Sequence, residues 1–246
     1  MVAIRAYTVA EFAAALREYV AIAALRITVL HHTWVPAAGD YKGLATIEAI
    51  RQYHRSRGWS DIGCHAYAAP DGTVYNGRPP NASNAACHYG EKSPDQWPAD
   101  LRKLSGGDRN WPNRHGFGLE VIGNFDDENP AESLAMSTGL DVLAVVHSLW
   151  DIPVEYCFFH RDIAYKSCPG KRVEKAWVHA EIRRRMTMER DDVAAWAREA
   201  VEFVKKAGLM VGFPDGTFRG SQPVTRQELA VILFRLARWL QKSTAK

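Results

Sequence analysis

This sequence predicts an α/β fold, a mixed central β-sheet flanked by helices, followed by a small all-α helix–loop–helix module. Three observations predict it. Short apolar runs, such as Ile27-Thr28-Val29-Leu30, alternate along the chain with longer segments of helical periodicity, which is the pattern of a sheet covered by helices. Pro70-Asp71-Gly72 separates two strand-like runs, which signals a hairpin. The composition shifts near Thr187-Met188-Glu189-Arg190, and only amphipathic helical patterns follow. The domains are therefore expected at 1–187 and 190–246.

The elements follow in order. Thr8-Val9-Ala10-Glu11 reads as a capping box opening a helix that carries Phe12, Leu16 and Val20 at helical spacing. Residues 26–32 read as a buried strand and 34–43 as a loop. A second helix is expected over 45–57, with Ile47, Ile50, Tyr53 and His54 on one side and Gly58 as its stop. Strands at 64–69 and 73–77 flank the hairpin turn. Residues 79–114, rich in Pro, Asn, Ser and Gly, read as long surface loops. A strand over 116–123, a helix over 133–150, a strand over 154–160 and a helix over 172–186 complete this half. Beyond it, an amphipathic helix over 196–204, a turn-rich connector over 208–219 and a final helix through Leu240 make a unit of about 50 residues. That is the lower edge for an independent core.

The bulk properties exclude several classes. The chain has 246 residues, 47% of them hydrophobic and 24% charged, an ordinary globular balance. Its net charge of +3 suits a polyanionic surface without demanding one. There is no long Lys/Arg run or nucleic-acid motif, so no nucleic-acid partner is expected. The cysteines, Cys64, Cys87, Cys157 and Cys168, show no CxxC spacing and no disulfide framework. Residues 19–25 are apolar, but Arg17, Glu18 and Arg26 bound them too tightly for a signal or a membrane span. The expectation is a protein made in the cytoplasm without its own export signal.

Chemistry concentrates in His160-Arg161-Asp162-Ile163-Ala164-Tyr165-Lys166-Ser167-Cys168-Pro169-Gly170. An imidazole and a thiolate there suit zinc, and Lys166 sits just ahead of the thiolate. His31-His32 ends an apolar strand. One ligand from a strand tip and two from a loop make a three-ligand site, which leaves a fourth position for catalysis. Neighbouring strand residues point to opposite faces, so only one of His31 and His32 points at the site easily.

With these residues in place, the chain resembles the zinc N-acetylmuramoyl-L-alanine amidases, a group that includes phage endolysins and peptidoglycan recognition proteins. The resemblance covers roughly residues 25–180. It rests on Leu30-His31-His32-Thr33, on Gly58-Trp59-Ser60-Asp61-Ile62-Gly63, and on residues 70–78. Gly118-Leu119-Glu120 and the segment from His160 to Gly170 complete it. It implies zinc held by His31, His160 and Cys168. It assigns Lys166 to the oxyanion and leaves His32 as a wall of the site. Trp59, His65 and His88 fall at positions that the resemblance places near the substrate. The family's catalytic tyrosine after the Asp-Ile-Gly turn is replaced here by Cys64. In other members a glutamate in the Gly-x-Glu strand is the base, and Glu120 stands there. An acid on an apolar strand should have its pKa raised by desolvation, which suits a proton shuttle.

The last unit resembles an S-layer homology repeat, through Trp196, residues 212–218 and Val224-Thr225-Arg226-Gln227-Glu228. Such repeats bind secondary cell-wall polymers. Arg226, at a helix N-terminus, and Asp215 are the candidate contacts. The single copy points to self-association, with a homo-oligomer bringing several units together.

The expected function is an endolysin-like, zinc-dependent peptidoglycan amidase acting at the bacterial cell wall, with release by a holin or by lysis. Its expected partners are peptidoglycan and a secondary wall polymer, with neither nucleic acid nor membrane. The alternative is a recognition protein that holds peptidoglycan without cutting it. Non-catalytic relatives commonly replace the thiolate by serine, and Cys168 favours the enzyme.

Overall fold

The computed structural model describes residues 3–85, 92–190, 193–212, 217–220 and 222–243. It forms two compact units, Met1–Arg183 and Arg184–Lys246.

The first unit carries β1 (Ala6–Tyr7), α1 (Val9–Arg17), β2 (Ile27–His32), α2 (Leu44–Ser56), β3 (Ala66–Ala68) and β4 (Val74–Asn76). These are followed by α3 (Ala99–Ser105), α4 (Trp111–His115), β5 (Gly116–Val121), α5 (Leu134–Leu149), β6 (Cys157–Phe159) and α6 (His160–Ile163), and by α7 (Lys175–Arg190), within which the division between the units falls. The expected boundary at 187–190 lies at the end of α7.

The strands form one sheet in the order β1-β4-β3-β5-β2-β6. The hairpin β3–β4 and the β1–β4 pair are antiparallel, and β3, β5, β2 and β6 run parallel, so the sheet is mixed. All six residues of β2 are buried, as befits a central parallel strand covered on both faces. α5 packs on β2, β3 and β5. Ser133 caps it by accepting from the Met136 N–H at 3.2 Å. A Cβ on Gly139 would come within 2.9 Å of Val121, so glycine lets this helix sit tightly on the sheet. Elsewhere, Ile47 and Ile50 of α2 pack with Ile62, Tyr67, Tyr75 and Ile122. Leu101 of α3 and Trp97 pack with Ile27, Val29, Phe158 and Ile163.

Several boundaries differ from the sequence reading. The Thr8–Glu11 capping box is present, but α1 ends at Arg17, and Val20 lies outside it, 38% exposed. β1 has two residues, too few to show a period. The 79–114 segment is not all loop: α3 forms there because Trp97 and Leu101 bury against β2, and Trp111 of α4 packs on the same cluster. Only Cys157–Phe159 pair as a strand. Pro153 precedes a 3-10 turn at Val154–Tyr156, and the Asp162 carboxylate accepts from the Phe159 N–H at 2.8 Å, which starts α6 at His160. The helix expected from 172 begins at Lys175, because the chain through Val173 is held in the preceding loop.

The second unit contains α8 (Arg198–Lys206) and α9 (Arg226–Ser243). Thr225 and Glu228 form a reciprocal cap at the start of α9, with Thr225 N–H to Glu228 at 2.8 Å and Glu228 N–H to Thr225 at 3.2 Å. Phe203 and Trp239 meet edge to face at 6.0 Å. No helix among the described residues is long and apolar enough to cross a membrane.

Candidate active site

The carboxyl ends of β2 and β5 open into a cleft of about 760 Å³. Ligands of open α/β sheets bind outside such strand ends. Cleft residues come from β2, α2, β5 and the segment after β6.

His31 arrives on β2, His160 on the first residue of α6, and Cys168 on the loop that follows. All three are buried, and one ligand atom from each lies within 4.8 Å of the others. The imidazole rings of His31 and His160 are 4.6 Å apart, and Cys168 Sγ is 3.8 Å from His31 Nδ1. Two imidazole nitrogens and a soft sulfur at this spacing fit zinc, whose bonds of about 2.0–2.3 Å put tetrahedral donors roughly 3.5–4 Å apart. The His32 backbone N–H donates to Cys168 Sγ at 3.4 Å.

The loop is pinned by groups with no direct part in the set. Arg161 donates to the carbonyls of Gly170, at 2.6 Å, and Val173, and its N–H reaches the Cys168 carbonyl at 2.8 Å. Ser167 and the Lys171 N–H both bind the Asp126 carboxylate at 2.8 Å. Gly170 has φ +123°, and a Cβ there would lie 2.5 Å from the Phe125 backbone. Only glycine lets the chain turn back at this point.

His32 lines the cleft, and its Nδ1 accepts from the Phe125 N–H at 3.2 Å. Burial lowers its pKa to about 4, so the ring is neutral and acts as a prop for the 125–126 turn. Lys166 is exposed at the cleft edge. Glu120 lines the cleft from β5, directly beside His31 in the parallel register. Burial raises its carboxyl to about 7, and hydrogen bonding from the Tyr67 and Cys64 side chains offsets part of that rise.

Trp59 lies on the cleft wall, stacked on His54 with ring centroids 4.5 Å apart and 13° between planes. His65 does not join the cleft. It is 2% exposed, its Nδ1 accepts from the Gly118 N–H at 2.9 Å and its Nε2 donates to the Ala82 carbonyl at 2.9 Å. With both nitrogens committed to backbone, it ties the 77–85 loop to β5. His88 lies outside the described residues.

Sequence reasoning missed Tyr67, His54 and Arg161. His54 was visible on the expected face of α2, but nothing local announced its stack with Trp59. Arg161 adjoins a ligand, and its role depends on carbonyls up to 12 residues away.

In the second unit, Arg226 is exposed at the start of α9. Asp215 lies outside the described residues. A groove of about 550 Å³ in this unit is lined by Gln227, Glu228, Arg219 and Arg235 among others, and Arg226 is not in its lining.

A family model described as N-acetylmuramoyl-L-alanine amidase matches residues 23–171. The chain belongs to that family. The match contains His31, Glu120, His160, Lys166 and Cys168. The amidase domain is followed by an S-layer homology domain, matched over residues 191–230. The chain is 29% identical over 161 residues to the human N-acetylmuramoyl-L-alanine amidase, which covers 61% of this chain and 24% of that protein. It is 26% identical over 141 residues to the endolysin of Klebsiella phage KP32, covering 55% of this chain and 77% of the endolysin. A stretch of 47 residues is 45% identical to the outer membrane protein SlpA of Thermus thermophilus, covering 19% of this chain and 5% of SlpA. The chain thus spans a small part of SlpA and about a quarter of the human amidase.

Proposed function

We propose that this chain is an endolysin-like, zinc-dependent peptidoglycan hydrolase. It cuts the amide bond between the lactyl group of N-acetylmuramic acid and the L-alanine that starts the stem peptide. The observation that carries this reading is the buried His31/His160/Cys168 set with Glu120 beside it and Lys166 at the rim of the same cleft. Membership of the amidase family supports it.

His31, His160 and Cys168 would hold the zinc, which supplies Lewis-acid polarisation of the scissile carbonyl. Glu120, with its pKa near 7, takes a proton from the attacking water and returns it to the leaving amine. Lys166 turns its ammonium toward the oxyanion as negative charge develops. The Trp59–His54 stack offers a flat apolar wall to the substrate, and neutral His32 holds the neighbouring turn in place. The S-layer homology domain holds the protein on a secondary wall polymer, with Arg226 and Asp215 as contacts, so the chain works at the cell wall after release by a holin or by lysis.

The test is digestion of purified peptidoglycan with the full chain, followed by identification of the new ends. Free lactyl carboxyls and N-terminal L-alanine are expected in equal amounts. Binding without new ends would make the protein a recognition module, and reducing sugar ends would make it a glycan-cutting enzyme.

A further inference from the structure

Tyr67, Glu120 and His31 occupy one row across three neighbouring parallel strands. Tyr67 of β3 is the register partner of Glu120 on β5, and Glu120 is the register partner of His31 on β2. Register partners in a parallel pair project from the same face. Tyr67 is fully buried, so its ring never meets substrate. Its hydroxyl accepts from the Cys64 N–H at 2.9 Å. A phenol has two acceptor lone pairs and one proton to give. The Cys64 N–H takes a lone pair and leaves the O–H proton to donate, and Glu120, the register partner of Tyr67, is the acceptor beside it. Burial also holds the phenol protonated.

We propose that Tyr67 is a positioning residue: the Cys64 backbone N–H orients its hydroxyl, which fixes the Glu120 carboxylate toward the cleft. The position after the Asp61-Ile62-Gly63 turn carries a buried thiol, Cys64, and the hydroxyl comes from three residues further on, in register with Glu120. The Cys64 side chain flanks the same carboxylate, so both groups support Glu120 from below. The inference rests on the proposed role of Glu120.

The test uses the full zinc-loaded chain on solubilised peptidoglycan fragments, with Tyr67→Phe, Glu120→Gln and the double variant. Tyr67→Phe should lower kcat roughly ten- to a hundredfold, the scale of a misplaced catalytic group, with KM and zinc content unchanged. In the Glu120→Gln background the same change should cost nothing further, because the group it positions is gone. Wild-type kcat in Tyr67→Phe, or an equal loss in both backgrounds, overturns the proposal while leaving the amidase reading intact. A wild-type chain that cuts nothing overturns both together, and a silent Glu120→Gln overturns the proposal by removing the base that it rests on. If Tyr67→Phe does not fold, 3-fluorotyrosine at position 67 keeps the hydroxyl and strengthens it as a donor. It should lower kcat without moving the melting temperature, and an unchanged kcat overturns the proposal.

Discussion

His31 of β2 and Glu120 of β5 are direct register partners in the parallel part of the sheet. A metal-ligand candidate and an acid are thereby fixed side by side by backbone hydrogen bonds, before any side chain is ordered. The remaining pieces are brought to this pair by the chain after β6, and each can be tested.

The His31/His160/Cys168 set should hold about one zinc per chain, as a three-ligand open site requires. Cys168→Ala should lose metal and activity together, read by metal analysis and peptidoglycan digestion. A metal-free Cys168→Ala protein with full activity would remove zinc from the mechanism.

Glu120→Gln should keep fold and zinc but slow turnover by roughly 10²–10⁴, the usual worth of general acid–base catalysis. Cys64→Ala should be far milder, since its thiol is fully buried. The reverse order of damage would transfer the role to Cys64.

Lys166 is exposed at the rim of the cleft. Lys166→Ala should lower kcat with KM nearly unchanged, because its charge matters most when the oxyanion forms. A change confined to KM would make it a substrate-binding residue instead.

Acid should weaken the fold through two buried histidines. Burial lowers His65 and His147 to about 4, against 6.5 for the free side chain. Each accepts at one nitrogen in the neutral form: His65 Nδ1 from the Gly118 N–H, and His147 Nε2 from Thr28 while its Nδ1 donates to the Ile152 carbonyl. The unfolded chain binds the extra protons first. Stability is therefore fully present above pH 6.5 and falls as the pH drops toward 4, by on the order of 3 kcal/mol per histidine at most. Urea melts across that range should show the loss, and His65→Gln should flatten it. A pH-independent midpoint in the unsubstituted protein would contradict the assignment.

The S-layer homology domain should serve attachment rather than cutting. A chain ending at Arg190 should still digest solubilised peptidoglycan but bind intact walls less well, and Arg226→Ala should reproduce part of that loss. One copy presents one small site, and linked weak sites gain by effective concentration, so self-association of the full chain is expected. The apolar residue Phe234, 62% exposed on α9, is a candidate contact, together with Trp239. Equal wall retention of the full and shortened chains would reduce this unit to a structural cap.

Much of the fold was legible because its signals are local. The Thr8–Glu11 cap, the Pro70-Asp71-Gly72 hairpin and the apolar stripe of α5 are each local in the chain, and each stands where the sequence reading placed it. α3 was not legible, because what holds it is burial of Trp97 and Leu101 against strands far away in sequence. The histidines divided in the same way. His31 and His160 carry a recognisable motif, whereas His65 looked like a cleft residue until its two backbone partners, Gly118 and Ala82, were visible.

The sequence by itself determined the order of elements, the ligand types and the acid on β5, because residue chemistry and short-range periodicity are written along the chain. The tertiary structure alone decided the pairing of groups. The resemblance already prefers His31 to His32 as ligand; the tertiary structure gave His32 its own partner, the Phe125 N–H. It placed Tyr67 in the row with Glu120 and His31, and it closed Arg161 over the Cys168 loop. The physical reason is that strand register and loop closure depend on hydrogen bonds between segments tens of residues apart. Those bonds exist only once the sheet has formed, and no local pattern specifies them.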